Sequence, residues 1–385
     1  MIARGFDAAE FAERTAKIQH KMAIKGLSGL LLMSEADVRY ITGFHTLFWQ
    51  SPTRPWFVFV PPSGKPIAII PEIGAALMAQ SWVDDIRTWS APSPDDDGIS
   101  LLCDLLSPYE AAGQKIGILK GHETLLRMPL GDFENLCAAL PDLVFEDATD
   151  IIRALRMVKT PAEIEKLRHI CAIGSRTFAD VPDFISPAMP LEEVFRNFRI
   201  RALTHGADDV PYLVGAAGKG GYQDVISPPN RRPLQTGDIL MLDTGATWDG
   251  FFCDFDRYFA IGQPDDDAKR AYDVLWRATQ AGLEAAKPGN LCCDLFHAMA
   301  KITKELDPSG GDIGRFGHGL GMQLTEQPSH ASFDRTIIEV GMVLTLEPSL
   351  SYGKDHMMVH EENIVITENG AELLTRRAAS ELPII

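Results

Sequence analysis

MLDTGATWDGFFCDFDRYF, residues 241–259, places two aspartates on what reads as one hairpin. The apolar run Ile239 to Leu242 drives a strand into Asp243, Asp249-Gly250 supplies a turn, and a second strand returns carrying Asp254. Side chains alternate faces along a strand, so a hairpin of this length can hold both carboxylates on one side. A single aspartate in a hairpin is usually a turn former. Here both are set among apolar and aromatic neighbours, and a buried carboxylate requires a counter-charge.

Downstream, more donor residues follow in order. His318 lies in FGHGLGM, whose glycines let the backbone approach a ligand closely, Glu347 ends the strand GMVLTLEP, and Glu361 opens the strand EENIVIT. Asp243, Asp254, His318, Glu347 and Glu361 form a mostly hard donor set, suited to Mn, Fe, Co or Zn rather than to a thiolate site. Two divalent metal ions would neutralise all four carboxylates together.

The chain of 385 residues is too long for one ordinary core and suits two domains. With 45% apolar and 23% charged residues it reads as a globular protein, and a net charge of −17 argues against nucleic acid or an anionic membrane as partner. Its longest basic blocks are Arg231-Arg232 and Arg376-Arg377. The N-terminal residues alternate charged and apolar positions without a signal-peptide core, and no run reaches the about 18 apolar residues of a membrane helix. The six cysteines, of which Cys292 and Cys293 are adjacent, show no CxxC and read as reduced thiols of a cytoplasmic protein.

The first 155 residues alternate helical and strand patterns. A helix runs to Lys25 and stops at Gly26, LSGLLLM is a buried strand, and WFVFV and PIAIIP pair across the turn PPSGK. A helix is expected over 75–81, with further strands at KIGIL and LVFED. Thr160-Pro161 with Glu163 marks a fresh helix start. Helices near 162–181, 190–204, 266–286 and 292–306 then alternate with the ligand-bearing strands.

The spacing D-x10-D, the histidine of GHGLG, the glutamate of LEPS and the last glutamate ahead of a TENG turn resemble the pita-bread metallohydrolase family of aminopeptidase P, prolidase, methionine aminopeptidase and creatinase. KMAIKGLSGLLLMSEADVRYITGF resembles the opening of its two-domain members, and VKTPAEIEKLRHICAIGSRTF the helix that begins their catalytic domain. The resemblance implies an α/β creatinase-type domain over 1–155 and an α+β pita-bread catalytic domain over 156–385. Asp254 and Glu361 would bridge two metals, and Asp243 and His318 would each bind one. Glu347 would be both ligand and catalytic residue, holding the nucleophile and shuttling its proton. Two-domain relatives form homodimers in which the partner's N-terminal domain closes each site. The segment GFHTLFWQSPTRPWF, with Phe44, Phe48, Trp49, Arg54 and Trp56, stands where such a lid would lie, although core packing explains the same aromatics.

The chain departs from the peptidase pattern at three positions. Ile226 and Thr325 occupy the places of two substrate-gripping histidines, and Val359 that of an arginine two residues before the last glutamate. His330 or His356 can replace a missing donor, whereas His360, next to Glu361 on a strand, faces the other way and reads as a packing residue. A pocket formed by Thr325, His330, Trp49 and either Arg231 or Arg232 would suit a zwitterion. The expected activity is therefore dinuclear-metal hydrolysis of a small polar substrate. The alternatives are a true Xaa-Pro dipeptidase or aminopeptidase, a lyase acting on dimethylsulfoniopropionate, and a non-catalytic peptide-binding module, which retention of all five ligands disfavours.

Overall fold

A computed structural model describes residues 2–51, 54–309 and 314–385. The chain folds as two units, Ala3–Arg156 and Met157–Ile385.

The first unit is built on a mixed sheet of strands β1 (Gly29–Leu32), β2 (Phe57–Val60), β3 (Ile67–Pro71), β4 (Asp85–Trp89), β5 (Lys115–Ile118) and β6 (Val144–Asp147), in the order β4-β3-β2-β1-β5-β6. The expected β2–β3 hairpin forms, with Val58 opposite Ala68. The helix Ala8–Lys25 ends at Gly26, whose φ of 69° is the left-handed conformation that glycine adopts at least cost. Over 75–81 the chain makes only the short helix Ala75–Met78. Strand β4 and the helices Ile99–Ala111 and Leu130–Ala139 are additional. β4 escapes a reading of apolar runs because it is an edge strand with only Trp89 buried. Phe57, Phe59, Leu102, Leu106, Ile116 and Leu136 pack in the core between sheet and helices. The aromatic segment closes on itself: the Trp56 ring packs at a tilt against Phe44 at 5.3 Å and Trp49 at 5.7 Å, and the Arg127 guanidinium lies 4.7 Å above the Trp49 ring.

The second unit opens with the helix Pro161–Ala179. Its capping box joins the Thr160 hydroxyl and the Glu163 carboxylate to each other's backbone N–H groups. Two sheets carry the ligands. In one, β7 (Asp209–Lys219), β8 (Asp238–Trp248) and β10 (Phe255–Ala260) run antiparallel, and the short β9 (Phe251–Phe252) pairs with the end of β8. The second has the order β12 (Glu326–Ser329), β11 (His318–Gly319), β13 (Val343–Leu346), β16 (Glu362–Thr367) and β17 (Gly370–Leu373). A separate pair, β14 (Ser349–Tyr352) and β15 (His356–Val359), links β13 to β16. The helices Leu191–Thr204, Asp266–Ala285 and Cys292–Thr303 complete the unit. Tyr272, Leu275 and Ala278 of the long helix are buried among residues of these strands.

Candidate metal centre

The hairpin from β8 to β10 turns at Asp249 (φ 49°) and Gly250 (φ 78°), the left-handed pair of a two-residue turn that matches strand twist. Asp249 is further fixed by Lys166, whose buried ammonium lies 2.5 Å from its carboxylate. Beyond the turn the register is continuous: Phe252 faces Thr247, Phe255 faces Thr244, and Asp256 faces Asp243. Asp254 therefore stands across from Gly245, on the face that carries Asp243 and Asp256.

In the other sheet Leu346 faces Glu362, so Glu347 and Glu361, one step further on each strand, lie across from each other at the open end of the ladder. His318, on β11 next to β13, is set by Thr345, whose hydroxyl accepts the His318 N–H at 3.1 Å. Gly317, with φ 127°, lies so close to the Thr345 carbonyl that a Cβ there would stand 2.3 Å from its oxygen. That contact supplies the reason for glycine before His318.

Donor atoms of Asp254, His318 and Glu361 lie within 4.8 Å of one another, and all three residues are buried. His318 Nδ1 donates to the Gly319 carbonyl at 2.9 Å, which leaves the Nε2 lone pair directed at Asp254 Oδ2 (3.5 Å) and Glu347 Oε2 (3.9 Å). Asp243 joins from the hairpin, one carboxylate oxygen accepting the Tyr212 hydroxyl at 3.2 Å. Its other oxygen and Glu361 Oε1 are buried without a hydrogen-bond donor. Burial pushes the Asp243 carboxyl up to about 7. Burial, then the Asp243 charge, does the same to Glu347. Asp254 and Glu361 are driven well above the usual carboxylate range, Asp254 by burial and then the Asp243 and Glu347 charges, Glu361 by burial and then the Asp254 and Glu347 charges. Burial, followed by the Arg315 charge, lowers the His318 imidazole to about 3, so it is neutral and ligand-ready. Undonated carboxylate oxygens and an imidazole lone pair facing carboxylates are the setting that divalent cations relieve. The donor set fits such ions, and Asp243, Asp254, His318, Glu347 and Glu361 are the residues that would hold them.

Other residues singled out in the sequence lie elsewhere. Arg232 makes a bidentate pair with Asp238 at 2.7 and 2.8 Å, at the end of β8 remote from Asp243 by about 16 Å of strand. Arg231 is exposed near Glu192. Trp49 belongs to the first unit, buried in its aromatic cluster. His330 is completely buried beside Gly317, and burial lowers its imidazole to about 4. Thr325 borders the ligand segment, its hydroxyl accepting from Arg315 at 3.4 Å. Ile226 is 72% exposed. His356 lines an open cavity of about 460 Å³ with Tyr222, Asp224 and Asn230. His360 faces away from the ligands, bonded to the Thr279 hydroxyl at 2.9 Å. Glu362 also turns away, toward Arg257 at 2.8 Å.

Four contributors were not read from the sequence. Asp256 accepts the Glu361 N–H at 3.0 Å, and the D-x-D spacing of Asp254 and Asp256 was its available signal. Tyr212, Asn363 and Arg315 reach the centre only through tertiary contacts.

Residues 165–368 match Metallopeptidase family M24, and residues 14–158 match the Creatinase/Prolidase N-terminal domain. Over 96% of both chains the protein is 28% identical to the Probable dipeptidase PepE of Mycobacterium tuberculosis. It is 27% identical to the Xaa-Pro dipeptidase of Pyrococcus furiosus over 60% of this chain and 67% of that one. The crystal structure of dipeptidase PepE from Mycobacterium ulcerans superposes with a TM-score of 0.84, at 27% identity and 99% coverage of each chain. Fold and site together define a metal-dependent hydrolase of pita-bread architecture with a creatinase-type N-terminal domain. The chain belongs to metallopeptidase family M24.

Proposed function

We propose that the protein is a dinuclear-metal hydrolase that cleaves a small, polar substrate, with Mn, Fe, Co or Zn held by Asp243, Asp254, His318, Glu347 and Glu361. The observation that carries this reading is the neutral His318 Nε2 facing Asp254 Oδ2 at 3.5 Å, beside carboxylate oxygens without donors. Lone pairs so arranged repel unless cations stand between them. When bound, divalent cations supply an activated water and polarise the bond under attack. The Glu347 side chain is 27% exposed, more open than those of His318 and Asp254, and so is placed to take the proton of the attacking water and pass it to the leaving group. Asp256 and Tyr212 hold Glu361 and Asp243 in orientation.

The preference for a small polar substrate follows from the donors that peptidase relatives place over the scissile bond. The Ile226 side chain offers no hydrogen bond, His330 is sealed behind Gly317, and Thr325 offers one hydroxyl. Losing a preorganised donor costs about 10²–10³ in turnover. The second reading, an Xaa-Pro dipeptidase, is favoured by full-length likeness to proteins named as dipeptidases. The test is a screen of Mn-loaded protein against Xaa-Pro dipeptides, creatine-like amidines and dimethylsulfoniopropionate. A kcat/KM above ~10⁵ M⁻¹s⁻¹ on a simple Xaa-Pro dipeptide would restore the prolidase reading.

No helix among the described residues is long and apolar enough to cross a membrane. A cytoplasmic setting belongs to the same proposal, in keeping with a net charge of −17 and six free thiols. A homodimer is part of the same proposal, by analogy with two-domain relatives.

A further inference from the structure

His330 turns inward rather than toward a substrate: its side chain is fully buried, and neither ring nitrogen has a hydrogen-bond partner among the described residues. Its main chain is bonded to the two residues that precede the ligand His318. The Phe316 N–H donates to the His330 carbonyl and the His330 N–H to the Gly317 carbonyl, both at 2.8 Å. The Phe316 carbonyl in turn accepts the Glu347 N–H at 3.0 Å, so one short stretch of backbone sets the approach of two ligands.

The ring folds back on the same stretch. It meets Gly317 through Cδ2, the atom bonded to Nε2, which stands 2.7 Å from where a Gly317 Cβ would lie, and the Thr345 carbonyl oxygen closes to 2.3 Å on the same point. That carbonyl therefore stands beside the Nε2 edge of the ring, in a geometry looser than an ordinary hydrogen bond. Thr345 is also the residue whose hydroxyl accepts the His318 N–H at 3.1 Å. Packing alone does not call for an imidazole here. Phe316 lies in an apolar cluster with Cys292, Phe296 and Leu344, and a leucine or phenylalanine at 330 would fill such a place without enclosing an N–H and a lone pair.

We propose that His330 is a positioning residue of the metal centre: its Nε2–H steadies the Thr345 carbonyl and, through Thr345, the backbone of His318, so that the His318 imidazole keeps its aim at Asp254 and Glu347. The ring nitrogen, rather than the bulk of the ring, is what the centre uses. This rests on the reading of His318 as a metal ligand. Full-length wild type, His330→Leu, His330→Phe and His330→Gln are titrated with Co²⁺, following both the heat and the visible absorption of the bound ion, and the metal-free proteins are melted in parallel.

His330→Leu and His330→Phe should bind Co²⁺ about 10–100-fold more weakly than the wild type and with a shifted absorption band, while melting no lower without metal. His330→Gln, whose amide N–H can stand in for Nε2–H, should recover most of the affinity and the wild-type band. Two apolar variants are used because either one carries the comparison if the other fails to fold. An unchanged affinity and spectrum in a folded apolar variant, a loss in His330→Gln equal to theirs, or failure of both apolar variants to fold would make the ring a packing element and overturn the assignment. A wild type that takes up no Co²⁺ would overturn the reading of the centre along with it.

Discussion

The side-chain amide of Asn363 grips the main chain of Asp254 from both sides: Oδ1 accepts the Asp254 N–H at 3.0 Å, and Nδ2 donates to the Asp254 carbonyl. Asn363 follows Glu361 by two residues on the same strand direction, so one amide fixes a ligand of the hairpin sheet against a ligand of the other sheet. The buried Cys171 thiol adds a contact to the same Oδ1 at 3.3 Å. Replacing Asn363 with Ala should weaken metal affinity by about 10–100-fold while the protein stays folded. Calorimetric metal titration beside far-ultraviolet circular dichroism checks this; unchanged affinity would show that the clamp positions nothing.

Ligand substitutions should separate holding the metal from using it. His318→Ala and Glu361→Ala remove donors from the tightest part of the cluster and should abolish both metal content and turnover. Glu347→Gln keeps an oxygen donor at the exposed edge but no longer accepts a proton, so it should lose turnover by at least about 10²-fold. Measuring metal per chain and rate in the same preparations distinguishes the two behaviours.

The pH dependence of the metal-free protein has a definite sign. Asp243 and Glu347 hold their protons up to about 7 in the fold, against ordinary values of 3.8 and 4.5. Between those limits the folded state binds more protons than the unfolded chain, so the contribution of these groups to stability is present at low pH and is lost as pH rises toward 7. Metal-free Glu347→Gln should therefore melt higher than metal-free wild type at pH 7, with the gap closing toward pH 4.5. A gap independent of pH in scanning calorimetry would contradict the assignment.

Much of the site was legible because it is written locally. The apolar run before Asp243, the Asp-Gly turn and the short strands ending in Glu347 and starting after Glu361 each declare themselves within ten residues or so. Asn363 and Tyr212 were not legible, since each acts on a partner far along the chain, Asp254 and Asp243, and no period or turn signal marks it. The same holds for the cations of the core. Lys166, a charged residue of the helix Pro161–Ala179, is buried against Asp249 and the Trp248 ring. The edge strand β4 was missed because exposed positions dilute its pattern.

The buried pair of Lys159 and Glu326, 2% and 6% exposed at the side chains, holds the start of the strand that follows Thr325. Lys159→Met would leave the Glu326 charge enclosed and should cost about 3–5 kcal/mol. Urea denaturation is the measurement; a loss under about 1 kcal/mol would mark the pair as behaving like an exposed one.

Oligomeric state tests the expectation drawn from two-domain relatives. Light scattering at micromolar concentration should return twice the chain mass of 42.3 kDa. A monomer would rule out closure of the site by a partner.

The most direct test of the two-metal reading is a titration of metal-free protein with Mn²⁺, following turnover of whichever screened compound it cleaves and counting bound metal by elemental analysis. Activity should be absent at the start and should reach its plateau as the second ion per chain is bound, with donors at Asp243, Asp254, His318, Glu347 and Glu361. Full turnover in a preparation shown to be free of metal would contradict it.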